Sequence, residues 1–287
     1  MPELPEVETI ARGVDARVRG DRIVDVWFGT HREPFKTPAV RQAEGLHERK
    51  IVSVHRVGKH IVVELGGEND ARSGKKPART QDSAIVAQWV VHLGMTGRLL
   101  VTSPDAPVAK HTHARLRLAS GRELRFVDPR RFGRLDFRDL RKGQAFAGPG
   151  AEPLAIEPAE FVQLFRGRKL AIKAALLNQT LLAGVGNIYA DESLFRAGIR
   201  PRRKAGRLTR VELEKLRLAL RDVLEHAIRL GGSSVSDYVD AEGVRGFFQL
   251  EHCVYQRTGE PCLRCGSTIK RIVVAGRSTH YCAHCQR

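Results

Sequence analysis

No apolar run in this 287-residue chain is long enough to cross a bilayer, which excludes a membrane-spanning helix. The opening residues carry Glu3, Glu6 and Glu8 and no apolar stretch of the kind that marks a secretory leader. A protein confined to a reducing compartment is therefore expected. Cysteine is scarce: there are five residues, none before Cys253. In a reducing compartment such cysteines read as metal ligands before disulfides. Acid is short as well. Asp and Glu number 32 against 49 Lys and Arg, a formal charge of +17, and the isoelectric point is about 10.3. Such a field gathers polyanions, nucleic acid foremost. A membrane-surface role is disfavoured, because no amphipathic helix shows a long Lys/Arg face.

What is present begins with the cysteines. Cys262-Leu-Arg-Cys265 and Cys282-Ala-His-Cys285 form a C-x2-C-x16-C-x2-C pattern. Each pair offers two sulfurs from one tight turn, and two turns complete a tetrahedron, so one structural zinc per chain is expected. No open coordination position remains for catalysis. His280 and His284 lie close enough to compete, but four cysteines make them unnecessary. Thr268 to Val274 and Ser278 to Tyr281 read as two strands, with Ala275-Gly276-Arg277 at the hairpin tip. Arg277 there is a candidate phosphate or groove contact. Cys253 reads as a small packed residue.

Val7, Ile10, Ala11, Val14 and Val18 recur at helical spacing and predict a helix over residues 5–18, with Pro5 and Glu6 in its first turn. From Ile23 to about Phe137 the pattern is that of strands. Ile51 to Leu65 is β-branched and broken at Gly58-Lys59. Ala114, Leu116 and Leu118 alternate with Arg115 and Arg117, and a Ser120-Gly121 turn leads to Leu124 and Phe126. That predicts a hairpin with one apolar and one basic face, and an antiparallel sandwich overall. Residues 66–83 lack any apolar period and read as a long loop. Leu213, Leu216, Leu220, Val223, Leu224, Ala227 and Ile228 make one helical stripe, opened by the capping box Thr209/Glu212 and closed by Gly231-Gly232. Seven Arg or Lys and no acid lie between Arg196 and Arg210, which favours DNA contact. The expected organisation is a β-sandwich over 1–141, a linker at 142–158, a helical region at 159–250 and a terminal hairpin at 251–287.

The start of the chain is itself a candidate reaction centre. Removal of Met1 leaves Pro2 with a free secondary amine beside the carboxylate of Glu3. An α-amino group titrates near ~8, so much of it is neutral and nucleophilic in the cell, and it forms an iminium with an aldehyde carbon. Taken alone, such a terminus reads as an idle tail.

The combination reads differently. Met1-Pro2-Glu3-Leu4-Pro5-Glu6-Val7-Glu8-Thr9, Lys59, His92-Leu93-Gly94-Met95-Thr96-Gly97, Asp128-Pro129-Arg130-Arg131-Phe132-Gly133, Ala171-Ile172-Lys173, the Gly184 to Tyr189 turn and the ribbon with Arg277 follow in order. Together they resemble the bacterial formamidopyrimidine-DNA glycosylase family, repair enzymes that remove oxidised purines. The resemblance implies an α+β fold: a β-sandwich with an N-terminal helix, a helix–two-turn–helix domain and a zinc ribbon. It implies Pro2 as nucleophile, Glu3 as acid/base, Lys59 as a catalytic lysine and Arg277 as a phosphate-binding member of the site. His92, Met95, Arg130 and Phe132 are then DNA contacts, the last three filling the gap left by an extruded nucleotide. Lys173 and Asn187 become phosphate ligands, and Glu6 a neighbour of the lesion pocket. Without the resemblance, Met95 and Phe132 read as core, Lys173 as a solvated charge and Asn187 as a helix cap. The implied partner is duplex DNA with oxidised bases or abasic sites, met by a monomer at the bacterial nucleoid in the cytoplasm. The implied reaction is base excision followed by β,δ-elimination. Two departures stand out: the connection at 66–83 is longer than usual, and the segment expected to read the lesion, Ser233 to Glu251, shows no pattern that sets a base preference. The rivals are an endonuclease VIII type preferring oxidised pyrimidines, and a non-catalytic zinc-ribbon DNA-binding protein. The second leaves Pro2, Glu3 and Lys59 without a role.

Overall fold

The structure, a computed structural model, describes residues 1–31, 34–68, 84–234 and 240–287. The chain divides into two compact units. The first holds Met1–Pro2, Glu6–Ala147 and Ser234–Gly246, the second Glu3–Pro5, Gly148–Ser233 and Phe247–Arg287. Among the described residues no helix is long and apolar enough to cross a membrane.

Helix α1 (Leu4–Val18), in the first unit from Glu6 on, buries Val7, Ile10, Ala11, Val14 and Val18, the stripe its spacing predicts. Glu6 in its first turn suits the positive end of the helix dipole. Two four-stranded antiparallel sheets follow. One runs β1 (Ile23–Phe28), β6 (Thr112–Leu118), β7 (Glu123–Val127), β5 (Arg98–Thr102). The other runs β2 (Arg49–Val57), β3 (His60–Glu68), β4 (Ile85–His92), β8 (Arg134–Asp139). Ile61, Val63, Leu65, Trp89, Val91 and Leu135 of the second sheet share a core with Leu116, Leu118, Leu124 and Phe126 of the first. The short helix α2 (Ala39–Leu46) is absent from a strand-only reading. It turns inward a polar residue, Gln42, which accepts a hydrogen bond from Trp89 Nε1 at 3.0 Å.

Two expectations change here. Gly66 to Glu68 are not loop but the end of β3, where Gly66 pairs with Ile85; residues 69–83 lie outside the described residues. The β6–β7 hairpin does not present a uniformly basic outer face. Arg125 is buried, bonded to Glu123 at 2.7 Å and to the carbonyl of Ala106 at 2.9 Å. Those acceptors satisfy a charge that the alternation alone would send to solvent.

The second unit is helical, with α3 (Pro158–Phe165), α4 (Ile172–Leu177), α5 (Asn187–Ala197) and α6 (Arg210–Arg229) around one apolar cluster. The capping box at Thr209 and Glu212 is formed on both sides. Gly231 and Gly232 stop α6 with φ of +75° and +83°, values that L side chains resist. The hairpin β9 (Ile269–Val274) and β10 (Arg277–Cys282) closes the chain. Ala275 and Gly276 alone make its turn, and Arg277 already pairs with Val274 as the first residue of β10.

Candidate active site and metal centre

Met1 is half-exposed, whereas Pro2 and Glu3 behind it are buried. The position of Glu3 is set by the turn between α4 and α5. Leu4 N–H donates to the Gly184 carbonyl at 3.0 Å, and Ile188 N–H donates to Glu3 Oε1 at 3.3 Å. Ile188 lies in the first turn of α5, so the carboxylate sits where a helix has unpaired amides and positive potential. Gly186, the residue preceding α5, makes this approach possible. A Cβ there would fall inside the Glu3 carboxyl group.

Lys173 is fully buried. Its ammonium pairs with the Asp191 carboxylate, 2.7 Å from Oδ1, and donates to the Ser278 carbonyl at 2.8 Å and to Thr279 Oγ1 at 2.8 Å. Asp191, equally buried, accepts the His280 backbone N–H at 2.8 Å. Burial pushes the Lys173 pKa down, and the Asp191 carboxylate opposes that shift. Here Lys173 reads neither as a solvated charge nor as an open phosphate ligand; it ties α4 and α5 to the hairpin that displays Arg277. Asn187 does not cap α5, a place taken by Gly186. Its Nδ2 also donates to the Ser278 carbonyl, at 3.0 Å. Arg277 is exposed at the start of β10.

The first unit holds the other expected residues. Lys59 is buried in the β2–β3 turn, behind Gly58 at φ +59°. Glu6 is buried on α1. His92 ends β4 with its ring 4.8 Å from that of His60. Burial, aided by the neighbouring His60 ring and the charges of Lys59 and Arg134, pushes His92 down to about 4. Met95 and Phe132 are 40% and 50% exposed, which rules out the core reading of both. Arg130 lies over the Phe132 ring at 4.9 Å. The two loops that carry them are clasped by Asp128, which accepts from Thr96 Oγ1 at 2.6 Å and Gly133 N–H at 2.7 Å. At Gly94 (φ +63°) a Cβ would meet Gly133 N at 2.5 Å. Sequence reasoning gave Asp128 no role, although an aspartate at a strand end before Pro129 was a signal for a loop organiser. It also missed Asp191 and Glu192. Glu192 is buried and gathers the backbone N–H groups of Cys253, Val254 and Tyr255 at 2.8–3.1 Å. Two adjacent acids between the apolar pairs Ile188-Tyr189 and Leu194-Phe195 of one helix were the available hint.

The thiols of Cys262, Cys265, Cys282 and Cys285 all lie within 4.8 Å of one another, with 3.5 Å between Cys265 and Cys282 and 3.9 Å between Cys262 and Cys285. A zinc tetrahedron with Zn–S bonds of about 2.3 Å has sulfur–sulfur edges near 3.8 Å. The four thiols thus fit one structural zinc. His280 is not a competitor, because its Nδ1 faces Asp191 Oδ2 at 3.2 Å. Burial raises the pKa of Cys253, and the neighbouring Glu192 carboxylate adds to it, as suits a packed thiol.

Against known proteins, residues 1–135 match the family described as the formamidopyrimidine-DNA glycosylase N-terminal domain. Residues 148–239 match its H2TH domain, and residues 259–287 a zinc finger found in FPG and IleRS. A formamidopyrimidine-DNA glycosylase of Solibacter usitatus is 44% identical, with 100% of each chain covered. Among solved structures, a variant of the Lactococcus lactis FPG bound to a Fapy-dG containing DNA superposes with a TM-score of 0.85 at 33% identity, covering 100% of both chains. The Lactococcus lactis Fpg with an abasic-site DNA gives 0.84 at 33% identity over 99% of each chain.

Proposed function

The chain belongs to the formamidopyrimidine-DNA glycosylase family, and from that premise we propose that it excises oxidised purines from duplex DNA and then cuts the strand at the abasic site. The observation that carries this reading is the Glu3 carboxylate, held at the N-terminus of α5 next in the chain to Pro2.

With Met1 removed, the Pro2 nitrogen attacks deoxyribose C1′. The C1′–N bond breaks and its electron pair leaves with the base, which takes up a proton. Glu3 protonates the ring oxygen, the sugar opens, and an iminium joins Pro2 to C1′. The iminium acidifies the C2′ hydrogen. Its loss expels the 3′-phosphate by β-elimination, and a second deprotonation expels the 5′-phosphate by δ-elimination. Water then hydrolyses the iminium and frees Pro2. Lys59 assists base departure or proton removal. Met95, Arg130 and Phe132, exposed on loops that Asp128 holds together, fill the stack once the nucleotide is extruded. His92 and Arg277 hold phosphates, while Lys173 and Asn187 act through the strand that bears Arg277. The zinc keeps that hairpin folded, since two short strands do not stand alone.

Borohydride trapping on an 8-oxoguanine duplex is the test. A covalent adduct mapping to Pro2 is expected, and Glu3→Gln should bind the duplex but release no base. Folded, Met1-processed protein that yields no adduct refutes the covalent mechanism and supports a DNA-binding protein without chemistry.

A further inference from the structure

The outer face of the β2–β3–β4–β8 sheet bears a cleft of about 410 Å³ in the first unit. Of its lining residues, only His92 enters the reading above. Strand register puts His92 opposite Arg134, Val90 opposite Asp136 and Gln88 opposite Arg138. Alternate residues of a strand share a face, so Arg134, Asp136 and Arg138 line the cleft together. Lys36 stands at its edge, exposed. Phe146 walls the cleft and is fixed there: its backbone N–H donates to Gln88 Oε1 at 2.7 Å, and its ring lies 4.7 Å from that of His60. The Arg138 guanidinium rests on the same ring at 5.1 Å.

The charge balance is one-sided. Three cations face one carboxylate, Asp136, which already accepts Thr37 Oγ1 at 2.6 Å and Arg138 Nε at 3.3 Å. Burial keeps His60 and His92 neutral in the ordinary range, so each brings an N–H without adding charge. A concave, cationic, partly aromatic surface of this kind suits an anion that carries apolar atoms beside its charge. Arg134 and Arg138 lie four residues apart on an extended strand, about 13 Å along it. One small phosphate cannot serve both, whereas a polymer with repeating phosphates can. The strands also lead to the loops described above: His92 is three residues from Met95, and Arg134 two from Phe132.

We propose that this cleft seats backbone phosphates of the bound DNA beyond the reacting nucleotide, with Arg138 and Arg134 as ligands and Lys36 at the mouth. The proposal rests on the DNA-processing reading and extends its footprint. The test is the salt dependence of binding to a lesion duplex. Every phosphate that the protein no longer neutralises lowers the slope of log K against log salt by about 0.9. Arg138→Ala and Arg138→Gln should each lower it by that amount, and Arg134→Ala with Arg138→Ala by about twice as much. Arg41→Ala, which removes an exposed charge on α2, should leave the slope as in the wild type. Methylphosphonate replacement along the duplex should weaken wild-type binding at a position where Arg138→Ala is indifferent. An unchanged slope in folded Arg138 variants overturns the proposal, as does an equal drop in Arg41→Ala. So does competition by inorganic phosphate with the slope intact, which marks a small-anion site. Base release by the wild type is measured on the same duplex. Its absence refutes the repair reading, whereas base release with an unaltered slope refutes the cleft alone.

Discussion

Replacing Gly186 by alanine adds one methyl group at the point where the Glu3 carboxyl approaches α5. Gly186 sits at φ −129° and ψ −164°, extended backbone that alanine adopts freely, so the substitution carries no backbone penalty. The nearest obstacle is the Glu3 side chain, whose carboxyl occupies the space of the new Cβ. Glu3 must move, and it gives up the Ile188 N–H that holds Oε1. Overpacking of this sort costs about 1–3 kcal/mol of stability. A catalytic group displaced by about 1 Å loses on the order of 100-fold in rate, roughly 2.7 kcal/mol of transition-state stabilisation. Single-turnover base release at saturating enzyme should therefore fall about 100-fold. The stability loss should vanish when the substitution is made in a Glu3→Ala background, because the two residues are in contact and their effects do not add. Gly186→Ala protein with full base release and an unchanged melting temperature would show that Glu3 is not held by this turn.

Metal removal and acid give two further outcomes. Chelation of zinc, or Cys282→Ser, should unfold the β9–β10 hairpin and sharply weaken DNA binding while the amide signals of the sandwich core remain; unchanged affinity after confirmed metal loss would refute a DNA-contacting hairpin. His252 is buried and pushed to about 4 by that burial, with His280 adding to the shift. An unfolded histidine titrates near ~6.5, so between that pH and about 4 the unfolded chain binds more protons and stability falls as pH falls. Urea midpoints of His252→Gln should decline less steeply over this window than those of the wild type, and equal slopes would refute the assignment.

Wherever a residue's neighbours in the chain decide its environment, the sequence was a sufficient guide. The stripe of α1 and the Thr209 capping box depend on positions three or four apart, and both formed as their spacing predicts. The four cysteines were legible for the same reason, since two tight turns fix two ligands each. What escaped depends on partners far away in the chain. Arg125 looks solvent-facing by alternation, but carbonyls 18 and 19 residues away receive it. The α2 helix is short and weakly patterned, and its inward Gln42 is acceptable because Trp89 donates to it and the carbonyls of Thr37 and Leu135 accept from it. Lys173 shows the same limit. A lysine before an apolar run gives no sign that Asp191, Ser278 and Thr279 will enclose its ammonium.

That enclosure joins the metal to the chain start. Ser278 receives both Lys173 and Asn187, and it lies on the strand that ends in Cys282. Asn187 follows Gly186 directly, and Ile188 after it grips Glu3. Oxidation of the thiolates, and the zinc loss that follows, would strip a buried ammonium of two acceptors and loosen the helix end on which the carboxylate depends. The state of the thiol cluster thus becomes a constraint on geometry some 280 residues earlier in the chain.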